Sequence, residues 1–284
     1  MFYGIFTGIA AVINASAANL DKYILSKEKI HWKLYLVASF FLLAIINLPL
    51  FLLFGEIQPQ AKETIWLIAL ALSIILSVIV NILYYAALQH EKLSEIQPIT
   101  LLAPLFTIIG ASIFLKDERD TVVIILAVIA ALTLAWAHLK KEHIKFHKAL
   151  VPLLIYVILV APFSAILHRK LLTIYNPFAF EFILNSVVFL ALFLIYRPRW
   201  SKLHKKNPKI LIITNILWTI GWILVFYSYT WIGVIRTTLI MMLSPLLVYV
   251  FARVFLKEKL YWKNVVALVI ILICVTIAQI VNGV

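Results

Sequence analysis

The chain predicts an all-α polytopic membrane protein: ten transmembrane helices arranged as two inverted five-helix repeats. Three observations predict it. Hydrophobic residues make up 64% of the 284 and charged residues 13%, against roughly 45–50% and about 25% in soluble proteins. The apolar residues are gathered in blocks of roughly 20, the length that crosses a hydrocarbon core. The stretch LLAPLFTIIGASIFLKDE (Leu101 to Glu118) also returns 141 residues later as MLSPLLVYVFARVFLKEK (Met242 to Lys259). A repeat period of about half the chain sets the architecture.

In order, the apolar periodicity places spans at roughly 2–25, 33–54, 64–88, 96–115, 121–138, 150–172, 178–196, 209–231, 236–256 and 263–281. The charged segments SKEKIHWK, HEKLSE, KDERD, KKEHIKFHK, RPRWSKLHKKNPK and KEKLYWK fall between them. KKEHIKFHK divides the chain into repeats 1–140 and 141–284. The first stretch, MFYGIFTGIAAVINASAANL, lacks the basic n-region of a signal peptide and is expected to be a mature helix. AANLDKYIL, ending the first span, parallels SAILHRKLL, ending the sixth; YYAAL in the third parallels FYSYT in the eighth. Five is an odd number, so two successive copies must enter the membrane in opposite orientations. That inverted duplication is the build of secondary transporters, whose substrate site lies between the repeats near the midplane.

Of the 25 Lys and Arg, 19 lie in or beside the odd-numbered loops and six by the even-numbered ones. The positive-inside rule then puts the odd loops in the cytoplasm and both termini outside. The formal charge of +13 is thereby accounted for by topology, and no nucleic-acid partner is expected. One cysteine, Cys274, allows no internal disulfide and argues against a Cys-based metal site. No H-E-x-x-H, G-x-S-x-G or Walker loop is present. An enzyme is not expected, nor a metal or other cofactor, and pumping would have to draw on an ion or solute gradient.

Polar side chains inside a span turn away from lipid. In the first span Thr7, Asn14 and Asp21 fall seven apart among alanines, which suits either close packing with Asn as interhelical glue or a pocket wall. In the third, Ser73, Ser77, Asn81 and Tyr84 share a face; in the fourth, Gln97, Thr100, Pro104 and Thr107 do. Pro104 and its counterpart Pro245, near Thr238, predict kinks that either shape a site or bend the helices to fit a curved bundle. The eighth span aligns Asn215, Trp218 and Trp222, a flat substrate wall or ordinary lipid-facing and core tryptophan. Glu181, singled out as an intramembrane carboxylate with Asn185 one turn on, is either a coupling group or a residue snorkelling to the interface beside His168 and Arg169. The expected substrate contacts are Asn14, Asn81, Tyr84, Thr100, Trp218, Trp222, Tyr227 and Thr238.

Tyr84-Tyr85, Pro104 and Phe114-Leu115-Lys116-Asp117-Glu118 are answered in the second half by Phe226-Tyr227, Ser244-Pro245 and Phe255-Leu256-Lys257-Glu258-Lys259. This pattern resembles the drug/metabolite transporter superfamily, and its EamA-type ten-helix branch in particular, over the whole chain. The family commonly has Gly before the Glu of that turn, where this chain has Asp117 and Lys257. The resemblance implies carrier-mediated movement of small organic metabolites, often export of amino acids. It also implies a cavity between spans 1, 3, 4, 6, 8 and 9, with 5 and 10 peripheral. Better-known members are drawn with cytoplasmic termini, opposite to the charge count. The expected setting is the cytoplasmic membrane, with lipid and a small-molecule substrate as partners and a monomer or homodimer as the assembly. The rival reading is a non-transporting scaffold or lipid-handling protein on the same fold.

Overall fold

A computed structural model describes residues 2–26, 30–90, 102–138, 155–198, 200, 208–256 and 262–281. Thr100 and Gln97 lie outside them. The described chain is nearly all helical. The first half holds α1 (Phe2–Ser26), α2 (Trp32–Phe54), α3 (Thr64–His90), α4 (Ala103–Phe114) and α5 (Thr121–His138). The second holds α6 (Ala161–Leu171), α7 (Pro177–Tyr196), α8 (Pro208–Met241), α9 (Leu243–Leu256) and α10 (Trp262–Val281). Short 3-10 turns occupy Pro59–Lys62 and Lys116–Glu118.

Five segments are long and apolar enough to cross a membrane by length and composition: Tyr3–Leu25, Trp32–Phe54, Thr64–Ala86, Pro177–Tyr196 and Pro208–Val248. Ala103–Phe114, Thr121–Ala137 and Val265–Ala278 are shorter apolar helices. The expectation of ten full-length spans is therefore met in part among the described residues. Outward-facing side chains such as Leu52, Leu53, Phe114 and Ile280 are 70–73% exposed, the apolar surface that lipid covers and water does not.

Two departures from the expected spans have identifiable causes. Ahead of α6 the chain makes a π turn over Tyr156–Val160, where the Ala161 N–H reaches back to the Tyr156 carbonyl. Pro162 follows, and its missing N–H disrupts the regular ladder at this point. The expected eighth and ninth spans run together as α8, but Gly233 interrupts it at φ 82° and ψ 171°, within the predicted 232–235 gap. After Met241 the helix breaks again. The Met242 N–H is shared between the carbonyls of Thr238 (3.2 Å) and Leu239 (3.3 Å), three residues before Pro245. Pro104 sits in the first turn of the described α4; the residues before it that would define a kink lie outside the described set.

The packing repeats across the halves. α1 lies on α8 as α6 lies on α3; α1 meets α9 as α6 meets α4; α2 pairs with α7 and α5 with α10. Small side chains permit the closest of these approaches, since Ala10, Ala11, Ala15 and Ala17 of α1 are fully buried. A Cβ on Gly221 of α8 would collide with the side-chain amide oxygen Oδ1 of Asn14. α1 and α8 run antiparallel: Thr7 Oγ1 donates to Ser228 Oγ at 2.7 Å, Asn14 faces Gly221, and Asp21 meets Trp218 at 3.0 Å. Asp21 also meets Tyr85 near the end of α3, so α3 runs with α1 and against its own counterpart α8.

Candidate functional site

Between the two packed halves lies a cavity of about 460 Å³. Its walls come from α2, α3, α4, α6, α7, α8 and the π turn that carries Tyr156. α5 and α10 contribute no described lining residue, in keeping with the peripheral place expected for them. α2 and α7 do line it, through Ser39, Phe40, Glu181 and Asn185 among others, whereas no described residue of α1 does.

Asn81, Tyr84, Trp218, Trp222 and Thr238 all face this space, as do Pro104 and Glu181. The i, i+3, i+4 spacing that grouped them on helix faces is what brings them to one void. Asn81 donates to the Ser77 carbonyl at 2.8 Å, which fixes its amide. Glu181 is only 3% exposed and accepts from Asn185 Nδ2 at 2.8 Å. The snorkelling alternative for Glu181 therefore gives way: Asn176 caps the start of α7, and the side chain one turn in points to the interior. Asn14 and Tyr227 stand elsewhere. Asn14 is wedged against Gly221, and Tyr227 stacks on Trp231 (4.9 Å) with Phe178 beside it (5.7 Å). Pro245 is not among the lining residues.

Asp21, placed by its spacing on one stripe with Thr7 and Asn14, is not among the expected substrate contacts. Asp21 lies five residues from the end of α1, where a carboxylate is expected to reach for headgroups, yet it is fully buried. Tyr35 from α2 donates to Oδ1; Tyr85 from α3 and Trp218 from α8 each donate to Oδ2 at 3.0 Å. Three helices are thus tied to the fourth through one carboxylate whose donors among the described residues are all neutral, and two of them, Tyr85 and Trp218, also line the cavity. The register of AANLDKYIL with SAILHRKLL makes His168 the counterpart of Asp21. His168 is held between rings, edge-on to Phe180 (5.2 Å) and Phe226 (5.7 Å). Phe180 occupies in α7 the fourth position that Tyr35 occupies in α2, and Phe226 answers Tyr84-Tyr85 of α3, matching Tyr84 in the YYAAL/FYSYT register and Tyr85 at the 141-residue offset of the repeated block. The Asp21 cluster and the His168 cluster therefore stand at equivalent places at opposite ends of the cavity. Trp218 and Phe226 are eight residues apart on α8, about 12 Å along its axis.

The FLKDE turn has a structural task. Glu118 Oε2 accepts from the backbone N–H groups of Val234 (2.5 Å) and Ile235 (3.1 Å), capping the helix that restarts after Gly233. Arg169 Nε lies 3.4 Å from its other oxygen. Positive φ and the approach of the Glu118 carboxylate both demand glycine at 233, because any Cβ there would meet it. Burial raises the Glu118 carboxyl above the ordinary carboxylate range, while the two backbone donors and Arg169 act against that rise. Asp120 and Arg236 sit 3.7 Å apart beside this latch.

The model of the EamA-like transporter family matches this sequence twice, over residues 2–139 and 148–279. The chain belongs to that family. It is accordingly a multi-pass membrane protein of a transporter family, with two copies of the family's unit in tandem. A solved structure described only as the crystal structure of a protein superposes with a TM-score of 0.68 over 98% of this chain and 96% of its own, at 16% identity. Similarity at that level shows the fold alone. No curated protein matches the sequence at a significant level. Among the described residues no group of His, Cys, Asp and Glu is arranged to hold a metal ion.

Proposed function

We propose that the chain is a secondary carrier that moves a small organic metabolite, an amino acid or related compound, across the cytoplasmic membrane by alternating access, with export as the expected direction. The observation that carries this reading is the roughly 460 Å³ cavity walled by polar and aromatic side chains of both repeats, in a member of a transporter family. Pockets of about 300–1,000 Å³ suit small-molecule ligands. Ten spans in two inverted sets of five supply two exchangeable halves, and the antiparallel course of α3 and α8 supports that inversion. The Lys and Arg bias supports cytoplasmic odd loops and external termini. On this topology the Asp21 cluster lies toward the cytoplasm and the His168 cluster and Glu118 latch toward the outside.

Asn81, Tyr84, Trp218, Trp222 and Thr238 are the substrate contacts in this reading. Glu181 is the coupling candidate, and no chemical transformation is assigned to the site. Opening toward the cytoplasm must separate Asp21 from Tyr35, Tyr85 and Trp218; opening outward must part His168 from Phe180 and Phe226. Counterflow of labelled amino acids and related metabolites in proteoliposomes tests the reading. Saturable exchange of one chemical class, reduced at least about tenfold by Trp222→Ala, is expected. Absence of exchange for every solute, with the protein folded, would count for a scaffold.

A further inference from the structure

The wall of the cavity presents acceptors that lack a matching donor. Glu181 is buried, and its one partner among the described residues is the neutral amide of Asn185. Asn215 is fully buried, its Nδ2 donates to the Leu211 carbonyl at 2.7 Å, and this orientation leaves Oδ1 without a partner. Both residues line the cavity; no lysine or arginine is among the described lining residues, and the basic side chain there, His168, is held edge-on between Phe180 and Phe226. A buried carboxylate without a cation is costly, and a bound cation relieves that cost.

The surroundings of Glu181 suit a cation further. Its neighbour Phe180 packs on Phe226 at 5.1 Å, and Phe226 in turn meets Trp222 (5.6 Å) and Tyr229 (6.4 Å). Trp222, Phe226 and Tyr229 all face the cavity, and aromatic faces attract ammonium groups through their quadrupoles. A ligand carboxylate, by contrast, would meet Glu181 with no described lysine or arginine to receive it. Asn215 lies eleven residues before Phe226 on α8, about 16 Å along the helix, so its free acceptor belongs to the far part of the ligand.

We propose that the cavity selects an organic cation, a protonated amine on an aromatic body without a carboxylate, whose ammonium group pairs with Glu181 against the Trp222, Phe226 and Tyr229 wall. This assignment rests on the carrier reading and, within its class of amino acids and related compounds, takes the amine in place of the amino acid. Full-length protein in nanodiscs, titrated calorimetrically with phenethylamine, phenylalanine and 3-phenylpropionate, compares an amine, a zwitterion and an acid on one carbon skeleton. Phenethylamine is expected to bind tightest, to lose at least about tenfold in affinity in Glu181→Gln, and to recover part of it in Glu181→Asp. The ranking in the wild type is independent of how well the variants fold. Tighter binding of the acid or the zwitterion, or phenethylamine binding indifferent to Glu181→Gln, overturns the amine assignment and leaves the carrier reading standing. Binding of none of the three, together with no counterflow of any solute in proteoliposomes, overturns both.

Discussion

The two ends of the cavity began as copies of one another and now close by different physics. At one end Asp21 gathers donors from α2, α3 and α8. At the other, His168 rests between two phenyl rings. Hydrogen bonds to a charged acceptor contribute roughly 1.5–3 kcal/mol each, whereas an aromatic pair adds about 0.5–1.5 kcal/mol beyond its buried area. The Asp21 cluster is thus a stiffer contact than the His168 cluster, whose end of the molecule also carries the Glu118 latch with Arg169 and the Val234 and Ile235 N–H groups. Duplication supplied the symmetry, and substitution at matched positions removed it at the two ends of the cavity.

The largest effect that would sharpen this contrast comes from Asp21→Ala. It strands two tyrosine hydroxyls and one indole N–H in the interior, each at about 1–3 kcal/mol. Thermal unfolding should shift down by several degrees and most flux should be lost, with Asp21→Asn, which keeps an acceptor oxygen, falling between. A wild-type melting profile in Asp21→Ala would break the comparison. Gly233→Ala should come next, losing about 1–3 kcal/mol through the forced φ, while Glu118→Ala, which removes the cap and the partner of Arg169, should cost about 0.5–2 kcal/mol; denaturation of both variants checks the order. At the other end His168→Phe should change stability by under about 1.5 kcal/mol, as an exchange that keeps the ring packing, read from the same melts.

The smallest effect is a pH dependence at the latch. The raised carboxyl of Glu118 contributes stability that is complete below the ordinary glutamate range and is lost as pH rises through its own, higher titration. Melting of the wild type should therefore decline relative to Glu118→Gln across that window and run parallel to it at lower pH. A difference that narrows with rising pH would show that the cap and Arg169 dominate over burial.

Much of the fold was legible because lipid imposes a simple rule: 20-residue apolar blocks, polar faces turned inward, basic residues on one side. The repeated block fixed the duplication and the matched prolines. The faces carrying Asn81, Tyr84, Trp218, Trp222 and Thr238 could be read from helical spacing. What spacing cannot convey is which neighbour a face meets. Asn14 shares a stripe with Thr7 and Asp21, yet it packs on Gly221 while Asp21 binds three other helices. Tyr227 is adjacent to the cavity residue Phe226 but turns toward Phe178 and Trp231. The π turn before Pro162, which brings Tyr156 to the cavity, had a local signal in that proline. The partnership of Glu118 with Gly233 had none, since 115 residues separate them.

Alternating exposure of the cavity is the claim on which the account depends, and a single reporter reads it. In a Cys274→Ser background, Asn81→Cys places one thiol on the cavity wall of oriented proteoliposomes, to be probed with a membrane-impermeant maleimide from either side. Labelling is expected from both sides, with Asp21→Asn shifting the balance toward the cytoplasmic face as the Asp21 cluster is weakened. Labelling confined to one side in both proteins, or to neither, would contradict it.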